Sequence, residues 1–354
     1  MIWRWRMSDV FDRAVEAHRR GDHEAALQGY AALDHLKNAR HNRGALLREL
    51  GRLEEAEAVL RSVLTHFPDF TPSQYSLALT LLAQERYAEG WRLHEARRLT
   101  GHSWAVDPET PAPEWRGEDL AGRRLVVCSE QGYGDQLMFA RYLPLLRGRG
   151  ADVTVGCNAL MRPLFAAAGF AVTSYSPQNI RLPDCDAWTL IGSLPYRLGL
   201  QGPPAPLPIG AWRGGGGIGV VPTGNPDHQN DSNRSLPPDP AARLLSLGRD
   251  LRPEATGARS FLDSVALFAG LDLVITVDTS TAHLAGSLGV PTWVLLPWYG
   301  VDWRWRLDRS ESPWYPSARL FRQHKGEAWG VVIDSVRAAL AQISLRSGGR
   351  IKRT

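Results

Sequence analysis

The chain has 354 residues, of which 44% are hydrophobic and 22% charged, and its formal net charge at pH 7 is +4. This length allows two or three folded units of about 100–200 residues, and the mild, scattered positive charge predicts no nucleic-acid partner. No apolar run approaches about 18 residues and no apolar core follows the N-terminus, so we expect no membrane span, no secretory signal and a cytoplasmic protein. Three widely spaced cysteines disfavour a disulfide framework and a structural zinc site.

Residues 8–100 have a helical pattern throughout and contain about three similar units. A small residue follows a polar turn in each unit, 30 and then 34 residues apart: Ala26, Ala56 and Gly90. In the middle unit, Gly44 allows close crossing of two helices, and Pro68 ends the second helix because proline lacks an N–H group. Such an array offers a groove for a protein partner or for a second copy of the chain. The alternative is a structural cap on the next domain.

The proline-rich segment 101–123 is predicted to be a linker. Residues 124–200 and 218–345 alternate short apolar runs with helical patterns, which is typical of βαβ units and parallel sheets. A helix is predicted from Asp135 to Arg147. The Pro/Gly-rich stretch 201–217 is predicted to be a hinge, with a ligand cleft at the carboxyl ends of the strands.

The first motif in this cleft runs from Glu130 to Asp135, where a strand turns into a helix. Gly132 and Gly134 accept positive φ angles and let a ligand approach the backbone, beside Gln131. The lone Gly-x-Gly is not a dinucleotide fingerprint. Asp135 is either a helix-capping carboxylate or a catalytic base, and the spacing leaves both roles open.

The second motif is a buried strand that leads directly into a helix with hydroxyl groups in its first turn. The unpaired N–H groups and the dipole of that helix predict an anion site, to which Thr279, Ser280 and Thr281 add donors. Asp278 at the strand end is a candidate acceptor for sugar hydroxyls, and His283 lies one turn into the helix. The alternative is an ordinary capped helix with His283 in the core.

Two loops complete the set of candidates. The polar loop 222–235 contains Asn225 and ends near Arg234, which is suited to bidentate pairing with phosphate, unless it is only a surface loop. In the aromatic loop that follows, Trp298 and Trp303 are candidates for stacking on a nucleobase or sugar, or for packing beneath the last helix. The Asp-x-Asp sequence 184–186 is interpreted as a chance match, so no metal is expected.

Segments 130–144, 225–235, 278–289 and 302–305, with 312–323, together resemble one family. It comprises bacterial tetratricopeptide-repeat (TPR) proteins whose C-terminal half is similar to glycosyltransferase family 9, the lipopolysaccharide heptosyltransferases. The resemblance implies an α + α/β fold class, in which TPR-like helical hairpins precede a compact two-lobed GT-B-like, Rossmann-type domain. It also implies inverting sugar transfer from a nucleotide sugar without a metal or other cofactor.

The resemblance assigns roles to individual positions. The general base falls on Asp135, and the segment that cradles the donor falls on Asp278, Thr279, Ser280 and His283, with Ser280 in place of the family's usual glycine. Relatives carry a helix and then a strand in the region that corresponds to residues 237–250. This region is shortened here, and Leu244 to Leu247 is the candidate strand.

We therefore predict a glycosyltransferase that acts on a nucleotide-sugar donor and a protein or glycan acceptor, with the TPR-like groove as a possible acceptor site and a homo-oligomer as an option. An alternative is a catalytically inactive TPR adaptor with a degenerate GT-B domain. A nucleotide-sugar epimerase is a third option, but it needs more acid/base groups than Glu130 and Asp135 supply.

Overall fold

A computed structural model describes residues 2–100, 106–305 and 309–347. The chain forms two compact units. The helical unit comprises Met1–Ser103, Gly199–Gly202 and Tyr299–Leu307, and the α/β unit comprises Trp104–Leu198, Pro203–Trp298 and Asp308–Thr354. The predicted boundaries therefore differ from the structure in three places. The described part of the predicted linker belongs to the α/β unit. Gly199–Gly202, at the start of the predicted hinge, and part of the aromatic loop belong to the helical unit.

Among its described residues, the helical unit contains three helix hairpins and two short 3-10 turns, Glu95–Leu99 and Trp303–Trp305. Its helices are α1 (Ile2–Arg19), α2 (His23–Ala31), α3 (Lys37–Glu49), α4 (Leu53–His66), α5 (Thr71–Ala83) and α6 (Tyr87–His94). The hairpins cross closely at small residues, as predicted. A methyl group on Gly44 would lie 2.7 Å from Cγ of Leu60, and one on Gly90 would lie 2.8 Å from Cδ2 of Leu82.

The turn within each hairpin needs one residue with a positive φ angle. Gly21 (φ 79°) and Gly51 (φ 76°) take this position in the first two hairpins, and Glu85 (φ 60°) takes it in the third. Glycine adopts this conformation without steric cost. A side chain there costs about 1–2 kcal/mol, so the third turn is strained.

The first lobe of the α/β unit is a four-stranded parallel sheet with the strand order β3-β2-β1-β4. Its strands are β1 (Arg124–Cys128), β2 (Asp152–Cys157), β3 (Ala171–Ser174) and β4 (Ala187–Leu190). Its helices are α7 (Tyr133–Phe139), α8 (Leu143–Gly148), α9 (Arg162–Ala167) and α10 (Leu194–Arg197). The helix predicted from Asp135 to Arg147 is interrupted by the 3-10 turn Ala140–Tyr142, since Pro144 cannot donate to the preceding turn and instead lies in the first turn of α8.

The second lobe is a five-stranded parallel sheet with the order β6-β5-β7-β8-β9. Its strands are β5 (Ile218–Val221), β6 (Arg249–Asp250), β7 (Leu273–Val277), β8 (Thr292–Leu296) and β9 (Ala318–Arg322). Its helices are α11 (Asp231–Arg234), α12 (Pro238–Leu245), α13 (Pro253–Thr256), α14 (Phe261–Phe268), α15 (Ser280–Ser287) and α16 (Trp329–Ser347). The strand predicted at Leu244 to Leu247 is wrong. Leu244 lies in the last turn of α12 inside the hydrophobic core, and the strand follows at Arg249–Asp250.

Described parts of both the predicted linker and the predicted hinge pack onto sheets. Trp115 is buried, and its backbone N–H donates to the carbonyl of Trp188 at 2.7 Å beside β4. In the stretch 201–217, Nε1 of Trp212 donates to the carbonyl of Leu271 at 2.8 Å, and Gly217 donates to the Asp272 carboxylate at 2.9 Å. The later part of the predicted hinge is therefore fixed to the second lobe.

The predicted fold class is confirmed in outline: TPR-like helical hairpins precede an α/β unit of two Rossmann-type lobes, each with a parallel sheet. No helix within the described ranges combines the length and hydrophobicity that crossing a membrane requires.

Candidate functional site

The sheet orders place the predicted motifs at two crevices. In the first lobe the chain runs outward from β1 to β3 and returns to β4 on the other side of β1, and in the second it returns to β7 on the other side of β5. Ligands of parallel sheets bind at such reversal points, outside the carboxyl ends of the strands. Glu130 follows β1, and its Oε1 accepts from the backbone N–H of Gly192 after β4 at 2.9 Å. Glu130 is a buried carboxylate at the first crevice, and the sequence analysis counted it among the acid/base groups of the first motif without giving it a role.

Asp135 lies in the first turn of α7 but does not open it. Gly132 is the N-cap residue, and its backbone N–H donates to Oδ2 of Asp135 at 3.1 Å. This contact is one half of a capping box, so Asp135 has the capping function that was one of its two predicted roles. The base role is compatible with it, because a carboxylate has two oxygens and about four lone-pair sites.

The loop before α7 is strained. Gln131 has a φ angle of 60°, in the left-handed region that costs a side chain about 1–2 kcal/mol. Strain of this kind persists only where surrounding structure enforces it, and it concentrates at functional sites. The loop is held partly by a 3.4 Å contact from Nε2 of Gln136 to the carbonyl of Gln131.

Gly134 and His283 bring the two lobes together. A methyl group on Gly134 would lie 2.6 Å from Cδ2 and 3.0 Å from Nε2 of His283, which is buried on α15. Gly134 therefore makes room for a histidine from the other lobe. The sequence analysis had instead expected this glycine to let a ligand approach the backbone. The contact places the first turns of α7 and α15 side by side.

The start of α15 has the predicted arrangement of polar groups. Thr279 is the N-cap residue, and its hydroxyl accepts from the backbone N–H of Thr281 at 3.2 Å. Asp278, Ser280, Thr279 and Thr281 are all partly exposed at the carboxyl end of β7. A helix start with accessible polar groups favours anions, because the N–H groups and the helix dipole both point toward them.

Arg234 is held across the second crevice. Its Nη1 donates to the carbonyl of Asp278 at 3.0 Å, and its Nε donates to Oδ1 of Asp231 at 3.2 Å. The guanidinium also lies against Gly224, where a methyl group would approach Nη2 to 2.9 Å. Asp231 was missed in the sequence analysis, although its spacing of three residues from Arg234 is a recognisable helical ion-pair signal. Asn225 is exposed, and its Oδ1 accepts from the backbone of Asp227 at 3.1 Å in a local turn.

The two tryptophans predicted to stack on a ligand lie in different units. Trp298 follows β8 and is partly exposed, with Nζ of Lys325 6.0 Å from its ring centroid. Trp303 belongs to the helical unit, where it is buried and meets the ring of Trp91 edge-on at 5.4 Å. The stacking role predicted for Trp303 is therefore wrong, because its ring serves the packing of the repeats.

Within the described ranges, no three or more His, Cys, Asp or Glu side chains are grouped as metal ligands. In the Asp-x-Asp sequence, Asp186 instead accepts from Nη2 of Arg124 at 2.8 Å. Hydrogen bonds from the Arg124 side chain and backbone lower the pKa of Asp186 to about 2.

Comparisons with known proteins give distant similarities. No protein-family model matches the chain. The chain is similar to protein FlbA of Caulobacter vibrioides, with 28% identity over 368 residues that cover 85% of this chain and 61% of FlbA. It thus spans about three-fifths of that relative's length. A solved structure of a mutant O-GlcNAc transferase from Thermobaculum terrenum is similar at 15% identity and a TM-score of 0.26, covering 84% of this chain and 83% of that one.

Proposed function

We propose that the protein is a glycosyltransferase that moves a sugar from a nucleotide-sugar donor to a hydroxyl of a protein or glycan acceptor. The proposal rests mainly on the contact between Gly134 and His283, because it puts the first turn of α7, which carries Asp135, next to the anion-favouring start of α15. A base beside a phosphate-binding site is the arrangement that transfer from a nucleotide sugar needs.

The donor would be held by its diphosphate. The backbone N–H of Ser280 and the hydroxyl groups of Ser280 and Thr281 would bind phosphate oxygens, and the guanidinium of Arg234 would approach from the loop after β5. These groups would stabilise the negative charge that develops on the leaving phosphate, so the reaction needs no metal or other cofactor. Trp298 remains a candidate for stacking on the nucleobase or sugar.

The proposed transfer is a single displacement. Asp135 takes the proton from the acceptor hydroxyl, and the acceptor oxygen forms a bond to the anomeric carbon from the side opposite the leaving group. The bond from that carbon to the phosphate oxygen breaks, and the nucleoside diphosphate leaves with the electron pair. The configuration at the anomeric carbon is thereby inverted. A positioned base typically contributes about 10²–10⁴-fold to such a rate.

The first test is a thermal-shift panel of ADP, UDP, GDP, CMP and their sugar conjugates. A ligand at 100 times its Kd adds about 2.7 kcal/mol to the free energy of unfolding, which gives a clear upward shift. Transfer is then measured with the active donor in Asp135→Asn. The amide retains an oxygen that can accept from Gly132, so we expect donor binding to persist while transfer falls by about 10²–10⁴-fold.

The matched control is Asp152→Asn, because Asp152 is exposed at the opposite end of the same sheet. It should leave both donor binding and transfer unchanged. Undiminished transfer by Asp135→Asn would exclude Asp135 as the base.

A TPR-like adaptor with an inactive α/β unit is the second candidate, favoured by the reduction of β6 to two residues. This function requires no nucleotide. This function would be supported if the folded protein showed no thermal shift with any ligand of the panel. The search would then turn to the helical hairpins, for which we propose a protein acceptor, a protein partner or a second copy of the chain as the bound molecule.

A further inference from the structure

Tyr315 contacts His283 from the side away from α7. The hydroxyl of Tyr315 lies 2.9 Å from Nδ1 of His283, and both side chains are buried, with 0% and 4% of their surfaces exposed. The tyrosine ring packs against α15 at Gly286, where a methyl group would come within 2.5 Å of the ring. The glycine therefore lets the hydroxyl reach the imidazole.

The segment that carries Tyr315 is fixed by a buried arginine that follows α7. The guanidinium carbon of Arg141 lies 5.1 Å from the centroid of the Tyr315 ring, and its Nη2 donates to the carbonyl of Trp314 at 3.1 Å. Its other nitrogens donate to the carbonyls of Pro204 at 3.1 Å and Met138 at 2.9 Å. With these contacts, Arg141 holds the Tyr315 ring between the two lobes.

We propose that Tyr315 is a positioning residue that selects the protonation form of His283. Its hydroxyl donates to Nδ1, so the neutral imidazole carries its proton on Nε2. A neutral histidine has one donor and one acceptor nitrogen, and the partner of one nitrogen decides the role of the other.

The consequence concerns the edge of the ring that meets the other lobe. Nε2 is the nitrogen beside Gly134, at the start of α7. With its proton there, His283 offers an N–H donor to an oxygen of the nucleotide sugar. With the opposite tautomer, Nε2 would be an acceptor and would repel a phosphate oxygen, which can only accept. The identity of the ligand in this inference rests on the proposed function, whereas the assignment of the tautomer does not.

Charged and titratable groups lie on the elements around His283: Asp135 on α7, Arg141 after it, Asp278 before α15, Asp263 on α14 and Tyr315 itself. Histidine is the only one of these residue types whose unperturbed pKa falls between about 5 and 8. A pH effect on binding in that interval is therefore a test of the imidazole.

The binding test uses Tyr315→Phe in the full chain, which removes the hydroxyl and keeps the ring against Gly286. The probe is the nucleoside diphosphate that stabilises the wild type most, and its Kd is measured calorimetrically from pH 5.5 to 8.5. We expect binding about 3–10-fold weaker than wild type at pH 8, corresponding to about 0.7–1.4 kcal/mol. The deficit should shrink toward pH 5.5, because a protonated imidazole donates from both nitrogens.

The control is Tyr196→Phe, which changes an exposed tyrosine of the same unit and should match the wild type throughout. If Tyr315→Phe weakened binding by the same factor at every pH, its role would be merely structural and the proposal would be overturned. Binding identical to that of the wild type would also overturn it.

A second measurement reads the tautomer of the wild type directly. Nitrogen-15 spectra of histidine-labelled protein distinguish a protonated Nδ1 from a protonated Nε2, and Tyr315→Phe or His283→Gln assigns the signal. A proton on Nε2 in the wild type is expected, and a proton on Nδ1 would overturn the proposal. If no nucleotide binds while Nε2 carries the proton, the proposed function fails and the positioning role of Tyr315 stands.

Discussion

Glu49→Gln is expected to lower the stability of the helical unit at neutral pH. The variant should also lose less stability than the wild type when the pH is lowered. Glu49 ends α3, and its Oε2 accepts from the hydroxyl of Tyr299 at 2.5 Å. Nε2 of His18 lies 3.0 Å from the same hydroxyl and 3.5 Å from Oε2, and Arg48 donates to Oε1 at 3.1 Å. This cluster joins the first two hairpins to the segment of the helical unit that begins at Tyr299.

The magnitude follows from the pKa of Glu49. Burial raises this pKa, but the hydrogen bond with His18, the charge of Arg48 and the Tyr299 hydroxyl outweigh it and lower the pKa from 4.5 to about 2. A lowered pKa contributes stability that is present above the unfolded value and is lost as pH falls toward the folded value. A difference of roughly 2.5 units corresponds to about 3 kcal/mol, lost between about pH 5 and pH 2.

The assay is urea-dependent amide hydrogen exchange, corrected for intrinsic rates and read on peptides from α1 and α3. At pH 7, Glu49→Gln should be less stable than wild type by about 1.5–3 kcal/mol, the usual contribution of hydrogen bonds to a charged group. The gap between the two proteins should close as pH falls toward 2. A gap that stays constant from pH 7 to pH 2 would refute the linkage argument.

A matched control separates this carboxylate from others on the repeats. Glu55 pairs with Arg52 on the surface, with 56% of its side chain exposed. Exposed pairs of this kind contribute little, so Glu55→Gln should behave like the wild type at pH 7.

Two further predictions concern the hairpins. Glu85→Gly should stabilise the helical unit by about 1 kcal/mol, because glycine relieves the strained third turn; a lower urea midpoint would contradict this. Gly44→Ala should destabilise it by about 1–3 kcal/mol, because the new methyl group would lie 2.7 Å from Cγ of the fully buried Leu60. Helix propensity alone would make alanine the more stable residue, so an unchanged or raised urea midpoint would show that the helices can separate at no cost.

Local sequence patterns predicted the elements best. Small residues at repeat spacing marked the hairpin crossings, and short apolar runs marked strands that are buried in parallel sheets. The motifs at Glu130 and Asp278 could be placed at crevices because they directly follow such strands, and parallel strands end at one edge of a sheet. By contrast, β6 has only two residues and could not be distinguished from the end of the amphipathic helix α12.

Contacts between distant segments could not be predicted in the same way. The reason for glycine at position 134 is the ring of His283, and the partner of that ring is Tyr315. Each of these residues has an ordinary local explanation, as a turn glycine, a core histidine or a loop aromatic. Only tertiary structure shows that they touch, so the sequence supported a set of candidates without their geometry.

The segment that begins at Tyr299 shows how far such contacts reach and limits the effect of acid. The hydroxyl of Tyr299 donates to the carboxylate of Glu49, 250 positions earlier, and the Tyr299 ring stacks on His23 with the ring centroids 4.3 Å apart. The backbone N–H of Gly300 also donates to the carbonyl of Glu49 at 3.1 Å, a contact that has no charge to lose. Because protonation of Glu49 weakens only the side-chain bond, acid should loosen the segment at Tyr299 while Trp303 stays packed on Trp91. The stability lost through Glu49 is therefore limited to the few kcal/mol worked out from its pKa.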